Sequence, residues 1–491
     1  MQQFHPEIRV RFAPSPTGPM TLGNARTALF NWLFAKHMNG SFVLRIEDTD
    51  VARSHKDHER DLISALSWIG ITWDEGPSVD GSEGEHGSFG PYRQSARTPI
   101  YEEYLRDLLK RGLAYRCFCT KEQLEADAAS AVSRGIPHIY SGRCRHADQS
   151  DHVQRPSVIR FAMPLRRIVF TDYIRGEVVF DTATIGDIVI AKDERTPLYN
   201  FAVVVDDERM RISHVIRGED HIANTPKQIA LQEALGFATP IYAHLPLILA
   251  SDRTKLSKRT ADISILNYQQ RGYLPEAIMN FLAFLGWHPH GVESEKELFT
   301  PLELMRSFDL SRVQKAGAVF NPEKLDWLNG QHIKALPIAE LYQYCLPFLL
   351  SDNRQHSHSF SSQQLMGIVR LVRDRLTVLS DVRSETEFFF QLPSYEKELL
   401  VWKTDSIEHT HAILRRVREL FSSISEDECT AHFLSPAFEP LISEHGKGSV
   451  LWPVRVALSG LRGSPGPFEI AEVLGVAEVI RRLDHALTLS S

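Results

Sequence analysis

Two strand patterns, each followed by a helix pattern, begin the chain. Residues 8–14 and 42–46 are rich in β-forming residues, and helical periodicity follows over 24–38 and again up to about Ile69. Strand, helix, strand, helix is the usual start of a parallel α/β sheet. We therefore expect the first part of the chain to build such a sheet.

Ligands of parallel α/β sheets bind in the crevice beyond the carboxyl ends of the strands. Two polar or turn-rich segments occupy such ends, namely residues 14–18 (Pro-Ser-Pro-Thr-Gly) and residues 47–50 (Glu-Asp-Thr-Asp). They are the first candidates for a binding site.

The sheet pattern is interrupted and then resumes. Residues 113–190 mix short strands and loops in the manner of an insertion, after which 201–207, 213–218 and 242–249 are candidates for buried strands. From about Ala335 onward only helical periodicity is found, which predicts an all-helical last third.

Composition restricts the class of protein. The 491 residues are 43% hydrophobic, so we expect two to four domains. No run approaches the ~18 apolar residues of a membrane span, and the polar start lacks the basic and apolar parts of a signal peptide, so we expect a cytoplasmic protein without membrane contact. A net charge of −7 argues against indiscriminate coating of nucleic acid but leaves one specific RNA partner open.

Three of the five cysteines are crowded into one segment. Cys117, Cys119 and Cys144, with His146 nearby, offer the three thiolates and one imidazole of a closed tetrahedral zinc site. The alternative is a set of thiols without a metal, because Cys-x-Cys is a tighter pair than the usual Cys-x-x-Cys. Cys345 and Cys429 are expected to be ordinary buried thiols.

Two further motifs suggest a nucleotide site. Small residues over 11–24 precede a helix N-terminus and would let a phosphate approach the backbone, although a simple strand-to-helix turn explains them equally well. Lys255-Leu256-Ser257-Lys258-Arg259 places three cations after a predicted strand, which in isolation is more typical of a solvated loop.

Together these motifs resemble the class I aminoacyl-tRNA synthetases, whose HIGH and KMSKS signatures correspond here to residues 21–24 and 255–259. Within that class the chain is similar to the bacterial-type glutamyl-tRNA synthetases over nearly its whole length. The matching blocks are residues 11–18, 25–32, 44–50, 90–95, 204–207 and 214–221. Glutaminyl and eukaryote-type glutamyl enzymes instead have Pro-Glu-Pro-Asn-Gly at the first block.

The resemblance implies ATP-dependent activation of L-glutamate and its transfer to the 3′ end of tRNA(Glu), in a ligase with Mg²⁺ as the counter-ion of ATP. Glutamate carries two carboxylates and an ammonium, so its site needs buried cations and an anion. The family's glutamate-binding residues correspond to Arg11, Ala13, Ser15, Glu47, Tyr199 and Arg217. Its ATP-binding residues correspond to Ser15, Gly23, Asn24, His221, Leu256 and Lys258, and Thr21, Asn24, Lys255 and Lys258 would be catalytic.

One position departs from the family. The first residue of HIGH is usually histidine, and this chain has Thr21. Threonine can donate one hydrogen bond to a phosphate but carries no charge, so we expect activation to be slower than in a relative with histidine.

The resemblance also implies one structural Zn²⁺ per chain, with Tyr140 as an alternative oxygen ligand to His146. In the helical region it assigns Arg375 to reading the last anticodon base, where an exposed helix arginine is the plain alternative. Residues 446–460 follow a family pattern that we attribute to packing and backbone geometry.

The implied architecture is a Rossmann-like parallel sheet with an inserted acceptor-end domain, followed by all-α anticodon-binding domains, in a chain expected to be a monomer. The predicted domains are 1–112 and 196–250 for the catalytic halves, 113–195 for the zinc-bearing insertion, 251–334 for a connecting domain and 335–491 for two helical subdomains. Two other functions were weighed. One is an enzyme that attaches glutamate to a modified tRNA base, which would lack the helical third. The other is a non-catalytic paralogue, which is disfavoured because Arg11, Glu47, Lys255 and Lys258 are retained.

Overall fold

A computed structural model describes residues 7–50, 52–79, 84–146, 156–256, 264–291, 295–349 and 360–489. It divides into two compact units. The first comprises Met1–Gln270 and Pro275–Leu325, and the second comprises Arg271–Leu274 and Asp326–Ser491.

All strands of the described residues lie in the first unit. They are β1 (Arg9–Phe12), β2 (Ser41–Leu44), β3 (Gly76–Pro77), β4 (Glu85–His86), β5 (Ala114–Cys117), β6 (Val158–Phe161), β7 (Arg167–Asp172), β8 (Gly176–Asp181), β9 (Ile188–Asp193), β10 (Thr196–Pro197), β11 (His214–Gly218), β12 (Ile241–Leu245), β13 (Ile248–Leu249) and β14 (Ala318–Val319).

The helices follow in chain order. They are α1 (Leu22–His37), α2 (Lys56–Trp68), α3 (Thr98–Lys110), α4 (Lys121–Ser133), α5 (Tyr199–Arg209), α6 (Thr225–Leu235), α7 (Ile265–Gln270), α8 (Pro275–Phe284), α9 (Pro301–Ser307), α10 (Pro322–Ala335), α11 (Ile338–Leu349), α12 (Ser362–Val372), α13 (Val382–Glu385), α14 (Glu387–Phe390), α15 (Ile407–Ser422), α16 (Ala431–Ala437), α17 (Glu439–His445), α18 (Lys447–Ser459), α19 (Pro467–Leu474) and α20 (Val476–Thr488).

The main sheet has six strands in the order β2-β1-β11-β12-β7-β8. Neighbouring strands from β2 to β7 run parallel, and only β8 is antiparallel to its neighbour. Helices α3, α5 and α6 contribute to the apolar core that includes β11, with Leu105, Val205, Leu231 and Val215 all buried. The predicted parallel α/β class is confirmed.

Segment 113–195, predicted as an insertion, contributes to two different sheets. Strands β5, β6, β9 and β10 form a separate antiparallel sheet in the order β10-β9-β6-β5. The β7–β8 hairpin instead joins the main sheet, where Asp172 at the end of β7 pairs with Tyr242 of β12. The segment therefore returns to the main sheet in the middle of its course.

Helix α1 begins and ends as its sequence requires. Thr21 is the N-cap, and its Oγ1 accepts a hydrogen bond from the backbone N–H of Asn24 at 3.3 Å. After the helix, Asn39 adopts a positive φ of 52°. Gly40 follows because a Cβ there would lie 2.3 Å from the carbonyl oxygen of Ile8. This close approach brings α1 back alongside β1.

The strand predicted over 201–207 is wrong, because these residues belong to helix α5. Phe201, Val203 and Val205 are buried, and so are the two aspartates that follow. A helix buried on all sides shows no alternation of polar and apolar faces, so its short apolar run cannot be distinguished from a buried strand by periodicity.

The described residues of the second unit form helices and no strands, as predicted for the last third. Residues 362–379 form α12 followed by short 3₁₀ turns, and residues 431–443 are divided between α16 and α17. Gly448 lies at the start of α18, where a Cβ would meet the ring of Trp402 at 2.3 Å. The close approach of Trp402 therefore requires glycine at this position. No helix among the described residues is long and apolar enough to span a membrane.

Candidate active site

A cleft of about 840 Å³ lies in the first unit at the carboxyl ends of β1 and β11. Twelve of the predicted site residues line it. They are Arg11, Ala13, Ser15, Thr21, Gly23, Asn24, Glu47, Tyr199, Arg217, His221, Lys255 and Leu256. Lys258, with the rest of residues 257–263, lies outside the described residues.

The N-terminus of α1 faces this cleft through Gly23 and Asn24. A Cβ at Gly23 would meet nothing closer than Thr21 Oγ1 at 3.8 Å, so packing within the protein does not require glycine there. The glycine instead leaves open surface beside the positive end of the helix dipole, as an approaching anion needs.

Lys255 lines the same cleft in an exposed position. Its side chain is 61% exposed, and Nζ lies 3.3 Å from Asp220 Oδ2. Its neighbour Leu256 is fixed by a backbone hydrogen bond to Ile248 at 3.0 Å. The loop after β13 therefore brings a solvated cation to the rim.

Buried charges alternate in sign at the floor of the cleft. Arg11 donates from Nε to Asp207 Oδ1 at 3.1 Å, and Arg45 donates to the same oxygen at 2.8 Å. Arg45 also donates to Glu47 Oε1 at 3.1 Å. Two guanidinium groups and two carboxylates thus share one continuous network.

A second carboxylate of α5 extends this network below the cleft. Asp206 accepts from Arg97 Nε at 2.6 Å and from the Tyr101 hydroxyl at 2.9 Å. Its Oδ2 also lies 3.7 Å from Arg45. The buried Arg11, Arg45 and Arg97 are therefore matched by three carboxylates.

The pKa values of the two carboxylates nearest the cleft are shifted in opposite directions. Burial raises the pKa of Glu47 and outweighs the opposing effects of Arg45 and Arg11. Burial also acts to raise the pKa of Asp207, but Arg11 and Arg45 outweigh it and the pKa of Asp207 is lowered. The network thus favours the ionised form of Asp207, while burial disfavours the ionised form of Glu47, which a further cation would stabilise.

Arg217 is held differently from the buried Arg11, Arg45 and Arg97. It is only 5% exposed, and its partners are His244 Nε2 at 3.1 Å, Gln228 Oε1 at 2.8 Å and Thr225 Oγ1 at 2.9 Å. Within the described part of the chain, no carboxylate lies within ion-pairing distance of it. The positive charge of Arg217 is therefore not neutralised by a protein carboxylate and could attract an anion that enters the cleft.

Tyr199 and His221 close one side of the cleft. The Tyr199 hydroxyl lies 2.9 Å from His221 Nδ1. Burial, assisted by the charge of Arg217, lowers the pKa of His221 to about 4. His221 is therefore neutral at neutral pH and offers hydrogen bonds rather than charge.

The predicted metal ligands occupy a separate place in the first unit. The sulfur atoms of Cys117, Cys119 and Cys144 lie within 4.8 Å of one another. The Tyr140 hydroxyl lies 3.3 Å from the sulfur of Cys117 and 3.5 Å from that of Cys119. His146 is exposed and does not join the cluster. Of the two alternatives for a fourth ligand, only Tyr140 is beside the thiols.

Three distances within this cluster are close to those of a tetrahedral metal site. With metal–sulfur bonds of about 2.3 Å, sulfur ligands lie ~3.8 Å apart and an oxygen ligand lies ~3.5 Å from each sulfur. The Cys119 and Cys144 sulfurs are 3.6 Å apart. Burial alone would raise the pKa of Cys117, but hydrogen bonds from Tyr140, the Cys119 backbone and Arg160 lower it to about 7. The three cysteines could therefore hold a metal ion.

Models of two protein families match the chain. The catalytic domain of class I tRNA synthetases (E and Q) matches residues 7–327, and an anticodon-binding domain matches residues 340–487. The glutamate–tRNA ligase of Carboxydothermus hydrogenoformans is 42% identical, over 97% of this chain and 99% of that protein. That of a Sulfurihydrogenibium species is 41% identical, over 98% and 99%.

The chain belongs to the glutamate–tRNA ligase family.

A solved structure supports the same assignment. A glutamate tRNA ligase from Elizabethkingia meningosepticum, crystallised in complex with its amino acid, is 34% identical, with a TM-score of 0.88 over 98% of this chain and 99% of that chain. The resemblance to bacterial-type glutamyl-tRNA synthetases, and with it the prediction of a ligase, are confirmed.

In the second unit of this family member, the predicted anticodon residue Arg375 is tied to its surroundings. It follows α12 in a short 3₁₀ turn, pairs with Glu385 and donates from Nη2 to the Gly463 carbonyl at 3.0 Å. The side chain is still 37% exposed. Its place on the surface is thus fixed rather than free to vary.

Several residues that line the cleft were not predicted from the sequence. Arg26 lines it and donates to the carbonyl of Leu285 at 3.1 Å, and burial lowers its pKa to about 10. Lys192 of β9 also lines the cleft. Arg26 lies in a matching block and could have been chosen from it. Lys192 had no local signal, because only the tertiary fold brings β9 to the site.

The Asp207 network generates a pH-dependent prediction. Asp207→Asn should lower the free energy of unfolding by about 3 kcal/mol at pH 7, because Arg11 and Arg45 lose a buried anionic partner. The pKa of Asp207 is lowered in the folded state, so its stabilising contribution is complete above the unfolded pKa and is lost as the pH falls through the folded value. The difference between parent and variant should therefore shrink below about pH 4.

Urea denaturation of both proteins between pH 7 and pH 3 measures this difference. Asp57→Asn is the control, because Asp57 is paired with Arg60 but its side chain is 86% exposed. That variant should match the parent throughout. An Asp207→Asn penalty that stays constant down to pH 3 would contradict the charge-network account.

Proposed function

We propose that this chain activates L-glutamate with ATP and transfers it to the 3′ end of tRNA(Glu), in the cytoplasm. The observation that carries the proposal is that Arg217 and Glu47, which do not contact each other, both line one cleft. Arg217 is a buried cation with only neutral protein partners, and Glu47 is a buried anion with a raised pKa. A small amino acid with an acidic side chain supplies the complementary charges.

In this proposal, Arg217 receives a carboxylate of glutamate, and Glu47 receives the ammonium group. Arg11 lies beside Glu47 and adds positive potential, although part of its charge is taken by Asp207. Ala13, Ser15 and Tyr199 complete the walls. Glutamine carries a neutral amide instead of the side-chain carboxylate, so the site favours glutamate.

ATP with its Mg²⁺ is proposed to bind between the N-terminus of α1 and the loop that carries Lys255. Gly23 presents its backbone N–H group to the phosphates and Asn24 lines the same helix end, while His221 and Leu256 contact the nucleotide. Lys255 and Lys258 neutralise charge as pyrophosphate leaves. The α-carboxylate of glutamate attacks the α-phosphorus, and the terminal ribose hydroxyl of the tRNA then attacks the adenylate. Catalysis is therefore mainly positioning and charge stabilisation.

The helical second unit is proposed to read the anticodon, with Arg375 checking its last base. The side chain is fixed by Glu385 and Gly463 at the surface, as a base-reading arginine needs to be. The five predicted domain ranges and a monomeric state are also part of the proposal.

Charging assays test the proposed function. The purified chain, given ATP, Mg²⁺ and radiolabelled amino acid, should attach glutamate to tRNA(Glu) and not attach glutamine. Pyrophosphate exchange should depend on added tRNA, as in ordinary members of the family. Exchange without tRNA would point to modification of a tRNA base, and no exchange under any condition would point to a non-catalytic protein.

The threonine at the first HIGH position generates a separate prediction. Thr21→His should raise the rate of tRNA-dependent ATP–pyrophosphate exchange, because a histidine adds a stronger donor toward the phosphates. Thr21→Val is the matched control that removes the hydroxyl and with it the cap of α1. An exchange rate that is unchanged or lower in Thr21→His would refute this account of Thr21.

We further propose that the metal of the cysteine cluster is one structural Zn²⁺, held by Cys117, Cys119, Cys144 and Tyr140. Three thiolates are a donor set that selects zinc, and four protein ligands leave no open position for catalysis. The ion would stabilise the antiparallel sheet that carries Cys117 at the end of β5.

Zinc content tests both the metal and its fourth ligand. Purified protein should hold about one equivalent of zinc. Tyr140→Phe should weaken zinc binding at least ~10-fold in competition with a chelator, because an oxygen ligand is lost. His146→Ala should bind zinc as the parent does. If His146→Ala weakens zinc binding and Tyr140→Phe does not, His146 is the fourth ligand. A zinc content far below one equivalent, not restored by added zinc, would contradict the proposed zinc site.

A further inference from the structure

Behind the cleft, Arg217 is the first member of a buried hydrogen-bonded chain. Its Nε points at His244 Nε2, 3.1 Å away on the neighbouring strand β12. The Thr225 hydroxyl lies 3.1 Å from the same nitrogen and also accepts from Arg217 Nη2. His244 is fully buried and does not line the cleft.

The other ring nitrogen of His244 contacts a carboxylate. Nδ1 lies 2.6 Å from Asp172 Oδ2, and the backbone N–H of His244 donates to the same oxygen at 3.1 Å. Asp172 is the last residue of β7, beside β12 in the main sheet. The chain Asp172–His244–Arg217 therefore crosses three adjacent parallel strands.

Asp172 can only act as an acceptor in this arrangement. Its Oδ1 accepts from the backbone N–H groups of Ile174 at 3.0 Å and Arg175 at 2.8 Å. Its Oδ2 faces the two donors of His244. Four N–H groups stabilise the ionised form, so although burial acts to raise the pKa of Asp172, the pKa is lowered.

This acceptor determines the tautomer of His244. The proton lies on Nδ1, facing Asp172, and the lone pair of Nε2 faces the N–H donor of Arg217. A proton on Nε2 would set two N–H donors against each other 3.1 Å apart, and in the doubly protonated ring it would also oppose two positive charges. Burial, together with the charge of Arg217, lowers the pKa of His244 despite the opposing carboxylate, so the ring stays neutral.

We propose that Asp172 and His244 are positioning residues for glutamate recognition, in which Asp172 fixes the His244 tautomer and His244 holds the Arg217 guanidinium in its binding orientation without neutralising it. The inference rests on the proposed role of Arg217 as the carboxylate-binding group. A carboxylate placed directly against Arg217 would compete with the substrate. A neutral imidazole orients the guanidinium and leaves its charge available.

The tautomer gives the proposal a specific test. Asp172→Asn is isosteric: its amide oxygen still accepts from Ile174 and Arg175, while its NH₂ group faces His244. The ring then moves its proton to Nε2, and this N–H opposes the Nε–H of Arg217. We expect the KM for L-glutamate in tRNA charging to rise about 10- to 100-fold. The KM for ATP should change less than about threefold.

A double-mutant cycle separates this effect from a general loss of packing. His244→Gln offers an amide oxygen to Arg217. Because the amide group can rotate, this oxygen can face Arg217 whether residue 172 is aspartate or asparagine. In the His244→Gln background, Asp172→Asn should therefore change the KM for glutamate less than about threefold. The control is Asp187→Asn, another buried aspartate that accepts from a backbone N–H and a tyrosine hydroxyl. It should leave the KM for glutamate unchanged.

The outcomes are distinct. The proposal is overturned if Asp172→Asn leaves the KM for glutamate unchanged. It is also overturned if Asp172→Asn raises the KM for glutamate equally in the parent and in the His244→Gln background, or raises the KM for ATP as much as the KM for glutamate. If Asp172→Asn does not fold, His244→Leu decides, because it removes the acceptor and should show a KM for glutamate at least ~10-fold above that of His244→Gln. A parent protein that charges no tRNA would contradict the proposed function itself.

Discussion

A buried guanidinium must be matched by acceptors, and two different ways of matching it stand side by side beneath the cleft. Arg11 and Arg45 share the carboxylates of Asp207 and Glu47, so their charges are largely used within the protein. Arg217 is matched only by neutral groups, and its charge remains available. Because of this difference, the cleft stabilises an anionic group beside Arg217 and a cationic group beside Glu47.

The fold makes that difference possible by collecting partners from distant parts of the chain. Helix α5 supplies Asp206 and Asp207 to arginines that lie more than a hundred residues earlier. Strand β7, reached only after the chain has left the main sheet for the antiparallel one, supplies Asp172 to β12. Segment 113–195 thus forms a separate sheet and also supplies Asp172, which contacts His244 behind the cleft.

The alternation of strand and helix patterns allowed the α/β class to be predicted, and the resemblance to the synthetases implied most residues of the cleft. Glu47 directly follows a predicted strand, whereas Arg11 lies within one. The sequence did not reveal that 201–207 is helical, since an all-buried helix loses its periodicity. It left His146 and Tyr140 as alternatives, because spacing alone does not say which side chain turns toward the thiols. Asp172 and His244 carried no local signal, as their contact spans 72 residues.

We infer that Arg217 is the cation in the cleft that remains available for the substrate. The KM for L-glutamate in tRNA charging, measured for the parent and for Arg217→Gln, tests it most directly, with the exposed Arg209→Gln as control. The account predicts a rise of at least about 100-fold for Arg217→Gln, because a charged hydrogen-bonding partner of the substrate is lost, and none for Arg209→Gln. A folded Arg217→Gln protein with the parent's KM for glutamate would contradict the account.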